Sequence, residues 1–238
     1  HSAIFQCLRG NKKNRIRKIL LTASGGPFRG YTRKQLEKVT LQDALRHPTW
    51  NMGHKVTIDS STMVNKGLEL IEARWLFDVE VDEIEVLVQP QSILHSAVEF
   101  MDGAVMAELG TPDMKLPIQY ALYYPKRKKL AGSKRLDLAA LGKLDFSAPD
   151  FKAFPGLKLA YHAGRLGGSL PTVFNAANEV AVRAFLDEKI SYLQIASCIE
   201  DAMEQHEKVG LLGSPAVSDI LALQKSTEAW LKARYHLA

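Results

Sequence analysis

The run Ile16–Ala23 constrains the fold of this chain most, because its residues are mostly apolar and compatible with a β-strand. The run stops at Ser24-Gly25-Gly26-Pro27, a sequence that favours a turn. An apolar run of this length between turn signals is typical of a buried strand. Ligand sites of α/β folds lie at the carboxyl ends of such strands. The sequence therefore predicts a buried strand with a ligand-binding turn at its end.

Two further regions set the fold class. Three segments have the texture of β-strands, and Asp102-Gly103 favours a hairpin turn between the last two: Ile84–Val88, Ile93–Phe100 and Ala104–Leu109. From Phe151 onward, apolar residues recur at helical spacing in four segments: 157–163, 173–186, 193–205 and 217–235. The pattern predicts an α+β fold, in which an α/β domain with a mixed sheet precedes a C-terminal α-helical bundle domain. The predicted domains are residues 1–116 and 151–238, joined by a linker over 117–150.

Shorter signals lie between the first two strands. Thr32 and Thr40 each predict the start of a short helix, and Asp43 completes a capping box with Thr40. Lys55–Asp59 has the pattern of a strand. Ser60–Thr62 would then cap a helix that runs to about residue 77. Its predicted apolar stripe contains four residues: Val64, Leu68, Ile71 and Trp75.

Composition excludes some classes of protein. The chain has 238 residues, of which 46% are hydrophobic and 24% charged, as in ordinary globular proteins. Its longest apolar runs are far shorter than a membrane span needs, so we expect no membrane association. Cys7 and Cys198 have no Cys or His neighbours at zinc spacing, which indicates reduced thiols in a cytoplasmic protein.

The net positive charge of the chain is compatible with an anionic binding partner. The 31 Lys and Arg residues exceed the 26 Asp and Glu residues, which gives a net charge of +5. The densest basic run, 126–129, lacks repeated aromatic positions for base stacking and reads as a solvated linker. We therefore expect no nucleic-acid partner.

The stretch TIDSSTMVNKGLE, residues 57–69, combines groups that suit a phosphate. Hydroxyls at a helix N-terminus, with Lys66 one turn further, would place donors and positive charge around such an anion. Ser24 and the adjacent glycines could supply a second wall of donors. Glu69 and Glu72 lie deeper on the same helix, where carboxylates could hold Mg²⁺ or Mn²⁺. The pattern indicates a phosphorylated substrate beside a metal ion.

Each part also has a plainer interpretation. The hydroxyls Ser60–Thr62 could be an ordinary N-cap. Lys66 and Glu69 at i,i+3 spacing could be a surface ion pair. Gly25 and Gly26 could serve only to turn the chain. The residues alone leave these alternatives open.

Six sequence blocks, taken in order, resemble one known family: SGGPFRG, HPTWNMGHK, IDSSTMVNKGLELIEARWLF, QPQSILHS, LGTPDMKLPI and NAANEVAV. Together they are similar to 1-deoxy-D-xylulose 5-phosphate reductoisomerases. The resemblance runs from His1 nearly to the C-terminus. It implies the isomerisation of 1-deoxy-D-xylulose 5-phosphate, followed by reduction with NADPH to 2-C-methyl-D-erythritol 4-phosphate in isoprenoid biosynthesis. It also implies a divalent cation, Mn²⁺, Mg²⁺ or Co²⁺, a catalytic metal- and substrate-binding domain over residues 1–116, and a homodimer. The implied location is the cytoplasm or, in a eukaryote, the plastid stroma or apicoplast.

The resemblance assigns roles to particular residues. Four become ligands of the substrate phosphate: Ser24, Ser60, Asn65 and Lys66. Glu69 becomes a metal ligand that also contacts substrate, and His47 contacts the substrate. Lys66, Glu69 and His47 are thus the expected catalytic residues.

Other positions receive supporting roles from the same resemblance. Trp50 and Met52 would belong to a lid over the substrate, and Gly53 and Met114 would lie near the NADPH cofactor. Glu72 would support the site without binding the metal. The NAANE block, Asn175–Glu179, would be structural.

The chain departs from the family at its beginning. Gly25-Gly26 does not match the G-x-G-x-x-G loop of a dinucleotide-binding domain. The family's Asp-Ser-Glu-His segment, which carries two further metal ligands, is represented only from its histidine, at His1. We therefore expect the C-terminal part of a reductoisomerase, with little activity and lowered stability on its own. Two alternatives stay open: a non-catalytic phosphate-binding or assembly protein, and a metal-dependent sugar-phosphate isomerase without redox chemistry.

Overall fold

The computed structural model describes residues 1–11, 13–46 and 52–237. In chain order, the described elements are α1 (Ser2–Leu8), β1 (Ile16–Ala23), α2 (Arg33–Leu36), α3 (Leu41–Ala44), α4 (His54–Ser61), α5 (Val64–Phe77), β2 (Ile84–Val88), β3 (Leu94–Phe100), β4 (Val105–Leu109), α6 (Lys115–Tyr123), α7 (Leu138–Leu141), α8 (Pro155–Leu166), α9 (Leu170–Leu186), α10 (Tyr192–Val209) and α11 (Val217–Tyr235). They form two compact units. Unit 1 comprises His1–Ser24 and Asp82–Pro149, and unit 2 comprises Gly25–Val81 and Asp150–Ala238.

Unit 1 is built on a mixed sheet with the strand order β2-β1-β3-β4. β2 is parallel to β1, whereas β3 is antiparallel to both β1 and β4. The Asp102-Gly103 hairpin turn joins β3 to β4, with Gly103 at a φ of +87°, which glycine adopts at little cost. All four strands lie where the sequence predicts strands. The mixed sheet and the many helices confirm the predicted α+β class.

Three helices of unit 1 were not predicted: α1, α6 and α7. α1 packs against β3 and β4, and this contact buries its small apolar face. α6 contains Pro117 in its first turn, where a missing N–H group removes no hydrogen bond within the helix. The proline suggested an irregular segment, but at this position it is compatible with a helix.

Unit 2 contains the other helices, and α9 lies at its centre, in contact with α8, α10 and α11. Phe174 on α9 and Ile195 and Ile199 on α10 are fully buried. Thr32 and Thr40 cap α2 and α3 with complete capping boxes, as the sequence predicts. The four predicted C-terminal helices correspond to α8–α11. The domain boundaries predicted after residues 116 and 150 stay a prediction.

The strand predicted at Lys55–Asp59 is wrong, because these residues lie within helix α4. The β-branched residues of this segment favour a strand by propensity. Lys55 and Asp59, however, form an ion pair with 2.8 Å between Nζ and Oδ2, and their i,i+4 spacing is that of one helical face. Packing against α9 also favours the helix. Tertiary contacts therefore outweigh the local propensity.

The buried face of α5 also differs from the predicted stripe. The helix buries Val64, Gly67, Leu70 and Ala73. Trp75, which was predicted to lie in the stripe, is 72% exposed. The buried face packs against α8, where a Cβ atom on Gly67 would lie 2.4 Å from Cβ of Ala160. A contact this close admits only small residues, and a hydrophobicity pattern does not identify them.

Both cysteines are free and buried, one in each unit. Burial is the main cause that raises the pKa of Cys7 to about 11, and the charge of Glu108 adds to it. Burial likewise raises the pKa of Cys198 to about 11. Both thiols therefore stay protonated in the folded protein at neutral pH.

Alkaline pH is expected to destabilise the protein through these thiols. An unfolded thiol ionises near its ordinary pKa of 9.0, before the folded one does. The stabilising contribution is therefore complete below about pH 9 and is lost as pH rises through about 11. Between pH 7 and pH 10, each thiol should lower the free energy of unfolding of the protein by about 1.4 kcal/mol. Urea unfolding of the parent and of Cys198→Ala at pH 7 and 10 tests this, and equal losses in the two proteins would contradict it.

No helix among the described residues is both long enough and apolar enough to cross a membrane.

Candidate phosphate and metal site

The hydroxyl cluster lies at the junction between α4 and α5. Ser60 and Ser61 end α4, and Thr62 is its C-cap. The predicted N-cap role of Ser60–Thr62 is therefore wrong, since the N-cap of α5 is Met63, in the left-handed region with a φ of 61°. Two helices thus meet at a single left-handed residue.

Two of the junction hydroxyls bind to the backbone. Oγ of Ser61 donates to the carbonyl of Ile58 at 2.7 Å. Oγ1 of Thr62 bonds to the same carbonyl at 3.2 Å and accepts from the N–H of Val64 at 3.4 Å. These bonds fix the backbone on both sides of the turn. Ser61 and Thr62 therefore act as structural groups of the junction.

Three predicted site residues come together on the first turns of α5. Nδ2 of Asn65 donates to Oε1 of Glu69 at 2.7 Å, and Nζ of Lys66 lies 2.6 Å from Oε2 of Glu69. The i,i+4 and i,i+3 spacings put the three side chains on one helical face. The Lys66 side chain is only 14% exposed, so this is not a freely solvated surface pair. The cluster offers a cation, an amide and a carboxylate within one small volume.

The start of α5 adds backbone donors to this cluster. Met63 forms no side-chain cap, and the first turn of a helix has N–H groups without partners within the helix. Together with the helix dipole, such groups favour an anion. The Lys66 ammonium lies within the same turn. The physical chemistry of the helix start is therefore that of an anion site.

The glycine turn after β1 contacts the end of α4. A Cβ atom on Gly26 would lie 2.7 Å from the carbonyl oxygen of Ser60, and Gly26 has a φ of +67°. Both facts require glycine at this position. The turn and the hydroxyl cluster are thus in direct backbone contact, as a second wall of the predicted site would require.

The other predicted site residues lie in several places. Ser24 ends the first segment of unit 1, directly after β1, and Met114 in the same unit is the N-cap of α6 and 57% exposed. Met52 and Gly53 directly precede α4, and Gly53 is its N-cap. His47 and Trp50 lie outside the described residues.

A buried polar network beside the junction was not predicted. Asp59 on α4 contacts Lys55 on the same helix and Asn178 on α9. The hydroxyl of Tyr192 donates to the carbonyl of Ser61 at 2.7 Å. The i,i+4 spacing of Lys55 and Asp59 was a usable signal in the sequence. The contacts to Asn178 and Tyr192 had no such signal in the sequence, because they join segments that are far apart in the chain.

Comparison with known protein families gives two matches. A family model described as the 1-deoxy-D-xylulose 5-phosphate reductoisomerase C-terminal domain matches residues 1–77. A second, described as the DXP reductoisomerase C-terminal domain, matches residues 109–230 and so covers just over half of the chain. The chain belongs to the 1-deoxy-D-xylulose 5-phosphate reductoisomerase family. The α4–α5 junction and its side-chain cluster lie within the first match.

Individual reductoisomerases are similar in sequence to this chain over nearly its whole length. The enzyme of Lachnospira eligens is 60% identical over 99% of this chain and 61% of its own length. The enzyme of Bacillus subtilis is 52% identical over 98% of this chain and 60% of its own length. The chain thus spans about three fifths of the length of these curated relatives.

Solved reductoisomerase structures have the same fold. A crystal structure of DOX-P reductoisomerase in complex with NADPH, fosmidomycin and magnesium has a TM-score of 0.91 and 42% identity, over 100% of this chain and 62% of that one. The Zymomonas mobilis reductoisomerase in complex with NADPH has a TM-score of 0.88 and 42% identity, over 99% of this chain and 60% of that one. At this identity the likeness supports the fold in detail.

The residues described fit part of a reductoisomerase metal site. Glu69 supplies one carboxylate, the kind of ligand that Mg²⁺ and Mn²⁺ prefer. No group of three or more His, Cys, Asp or Glu side chains that could hold a metal ion occurs in 1–11, 13–46 or 52–237. Glu69 therefore fits one ligand position, and these residues do not make up a complete site.

The glycine turn after β1 does not have the geometry of a dinucleotide-binding turn. In dinucleotide-binding turns, glycine lets the backbone approach a pyrophosphate. Here the space beside Gly26 is filled by the carbonyl of Ser60. The glycine turn therefore serves contact within the chain.

Proposed function

We propose that this chain provides the substrate-binding part of a 1-deoxy-D-xylulose 5-phosphate reductoisomerase, with Asn65 and Lys66 at the substrate phosphate. In this reaction the substrate is isomerised and then reduced by NADPH to 2-C-methyl-D-erythritol 4-phosphate. The observation that carries the proposal is the cluster of Asn65, Lys66 and Glu69 at the start of α5, where Met63 forms no side-chain cap. An anion site next to a carboxylate matches a phosphorylated substrate and a divalent cation.

Within this proposal each side chain has a defined task. Lys66 contributes a positive charge, and Asn65 an amide donor, to the phosphate. Ser24 and Ser60 add hydroxyl donors. His47 is proposed to contact the substrate, and Trp50 and Met52 are proposed to belong to a lid that excludes water. Bound phosphate oxygens would compete with Glu69 for the donors of Asn65 and Lys66.

Glu69 is proposed as one ligand of a divalent cation, Mg²⁺, Mn²⁺ or Co²⁺. Such a cation supplies Lewis-acid polarisation of the substrate oxygens when it is bound. Partial burial and then the charge of Glu69 raise the pKa of Glu72, a second carboxylate of the same helix. We propose that Glu72 supports the site without binding the cation. Gly53 and Met114 are proposed to lie near NADPH, which is present in the related structures.

We also propose a cytoplasmic homodimer. The relatives come from bacteria, which supports the location. For self-association, the support is the edge strand β4, whose Val105, Met106 and Leu109 are exposed apolar residues. An exposed edge with apolar side chains is a surface on which a second chain can pack. Analytical ultracentrifugation of the complete protein measures this directly.

The experiment that tests the function is NADPH oxidation with 1-deoxy-D-xylulose 5-phosphate and Mg²⁺. It compares this chain with a form extended upstream to the length of its relatives. We expect turnover in the extended form and little in this chain. Turnover of the substrate without NADPH oxidation would favour an isomerase, and its absence from both folded forms would favour a phosphate-binding protein without catalysis.

Lys66→Ala tests the phosphate site in the extended form. The change removes a charge-assisted contact, so KM for the sugar phosphate should rise roughly tenfold to a hundredfold. KM for NADPH should stay near its parent value. Lys158→Ala is the matched control, since Lys158 is an exposed lysine on α8 of the same unit. Equal KM values for the parent and Lys66→Ala would contradict the site.

A further inference from the structure

Asp59 is a buried carboxylate held from two helices. Its side chain is only 3% exposed. On its own helix α4, Nζ of Lys55 lies 2.8 Å from Oδ2, and from α9, Nδ2 of Asn178 donates to Oδ1 at 2.9 Å. Nζ of Lys55 also lies 2.6 Å from Oε1 of Glu179, the residue after Asn178. The NAANE block of α9 is therefore tied to α4 by two polar contacts.

The electrostatics make these partners necessary. Burial raises the pKa of Asp59, although Lys55 and Asn178 act in the opposite direction. Burial alone would lower the pKa of Lys55, but its bonds to Asp59 and Glu179 outweigh this and raise it. A buried charge that loses one partner is strongly destabilised. The geometry of α4 relative to α9 is thus fixed by groups that tolerate little change.

Asn178 has a further property that ordinary packing does not explain. Its Oδ1 atom is buried and has no hydrogen-bond partner among the described residues. A leucine at this position would avoid the cost of an unsatisfied acceptor. The contribution of the amide at this position is therefore its donor, which binds Asp59.

A second anchor holds the residue on the other side of Ser60. The hydroxyl of Tyr192, at the start of α10, donates to the carbonyl of Ser61 in a buried contact. Burial raises the pKa of Tyr192, so the phenol stays protonated and remains a donor. The rings of Phe28 and Phe185 pack against it, with centroid distances of 5.1 and 5.9 Å. The donor is therefore held in place by its surroundings.

We infer that Asn178 and Tyr192 are positioning residues that fix Ser60 for phosphate binding. They hold Asp59 and Ser61, the two neighbours of Ser60 in the chain, and Gly26 contacts the carbonyl of Ser60 itself. One contact holds the side chain of Asp59 and two lie at the carbonyls of Ser60 and Ser61, so the backbone of Ser60 has little freedom. The inference rests on the proposed role of Ser60 as a phosphate ligand. It gives the helical C-terminal segment a function in substrate binding.

The test uses the form extended to the length of the relatives, with Asn178→Leu and Tyr192→Phe. Each removes one hydrogen-bond donor at nearly constant volume. We expect KM for 1-deoxy-D-xylulose 5-phosphate to rise about tenfold in each, because small displacements of binding groups weaken binding strongly. KM for NADPH should stay unchanged and kcat should fall less than kcat/KM. Tyr192→Phe keeps the test open if Asn178→Leu does not fold.

Two further variants separate positioning from simple stability. Ser169→Ala removes a buried hydroxyl of the same unit that bonds to His206 and Leu212, so it should lower Tm without changing KM. The exchange Asp59→Asn with Asn178→Asp restores the hydrogen bond in the reverse direction. Lys55 loses Asp59 but keeps Glu179, and KM should fall below that of Asn178→Leu, since an amide and a carboxylate again face each other.

The outcomes distinguish the inference from the proposed function. Ser60→Ala should raise KM for the sugar phosphate, and if it does not, both the proposed phosphate site and the inference are wrong. If Ser60→Ala raises KM while Asn178→Leu and Tyr192→Phe lower only Tm, as Ser169→Ala does, the inference is wrong and the proposed function stands.

Discussion

Glu69→Gln is expected to lower kcat/KM of the extended protein roughly a hundredfold or more, because a carboxylate ligand of a Lewis-acidic cation contributes several kcal/mol. The substitution keeps the volume and the hydrogen bond that Asn65 can donate, and it removes one charge. More Mg²⁺ should also be needed for half-maximal activity. The measurements are kcat/KM at saturating Mg²⁺ and a titration of initial rate against Mg²⁺.

Glu72→Gln is the matched control for this experiment. Glu72 lies three residues after Glu69 on α5, and the charges of the two carboxylates interact. The same chemical change should alter the rate only a few-fold and leave the Mg²⁺ requirement near that of the parent. If Glu72→Gln has the larger effect, the cation ligand has been assigned to the wrong turn of the helix.

Gly67→Ala is expected to destabilise the protein by about 2 kcal/mol, because the new methyl group has no room. Its Cβ atom would lie 2.4 Å from Cβ of Ala160, a distance that real Cβ atoms do not reach. α5 and α8 would have to move apart, and alanine's better helix propensity offsets only about 1 kcal/mol of this strain. Thermal unfolding should show Tm lowered by roughly 5 °C.

A control glycine separates this packing effect from the substitution itself. Gly213→Ala adds the same methyl group where no heavy atom lies within 4 Å. Its Tm should stay near that of the parent. Because α5 carries Asn65, Lys66 and Glu69, Gly67→Ala should also weaken substrate binding. An unchanged Tm for Gly67→Ala would show that α5 and α8 can separate at little cost.

The strands were predictable because their signal is local. β1 is a continuous apolar run that ends in glycine and proline, and Asp102-Gly103 has the φ requirement of a tight hairpin. The capping boxes of α2 and α3 are also local, since Thr32 and Thr40 bind groups three residues away. Each of these features is decided within a few residues of sequence.

Helix α4 and the face of α5 depended on contacts from elsewhere in the chain. The β-branched residues of α4 favour a strand, and the buried bond from Asn178 to Asp59, 119 residues apart, adds to the local Lys55–Asp59 pair in favour of the helix. On α5, Gly67 is buried because Ala160 lies against it. Neither partner can be identified from the segment itself.

The candidate site shows the same division. Asn65, Lys66 and Glu69 lie together on α5, and their i,i+3 and i,i+4 spacing in the sequence is sufficient to predict this on a helix. The junction between α4 and α5 was not predicted. The left-handed residue there is Met63, and no turn residue such as glycine marks the point where one helix ends and the next begins. Their functional roles, and those of Ser24, Ser60 and His47, stay predictions.

The Lys66–Glu69 ion pair also bears on how a ligand reaches the site. With Nζ 2.6 Å from the carboxylate, the pair has no net charge, although the whole chain carries +5. At physiological ionic strength, charges are screened beyond roughly 8 Å. A phosphate dianion that binds at the proposed site would therefore approach a dipole, and long-range steering by this pair would contribute little to its association rate. Selectivity at such a site comes from the exchange of hydrogen-bond partners at contact.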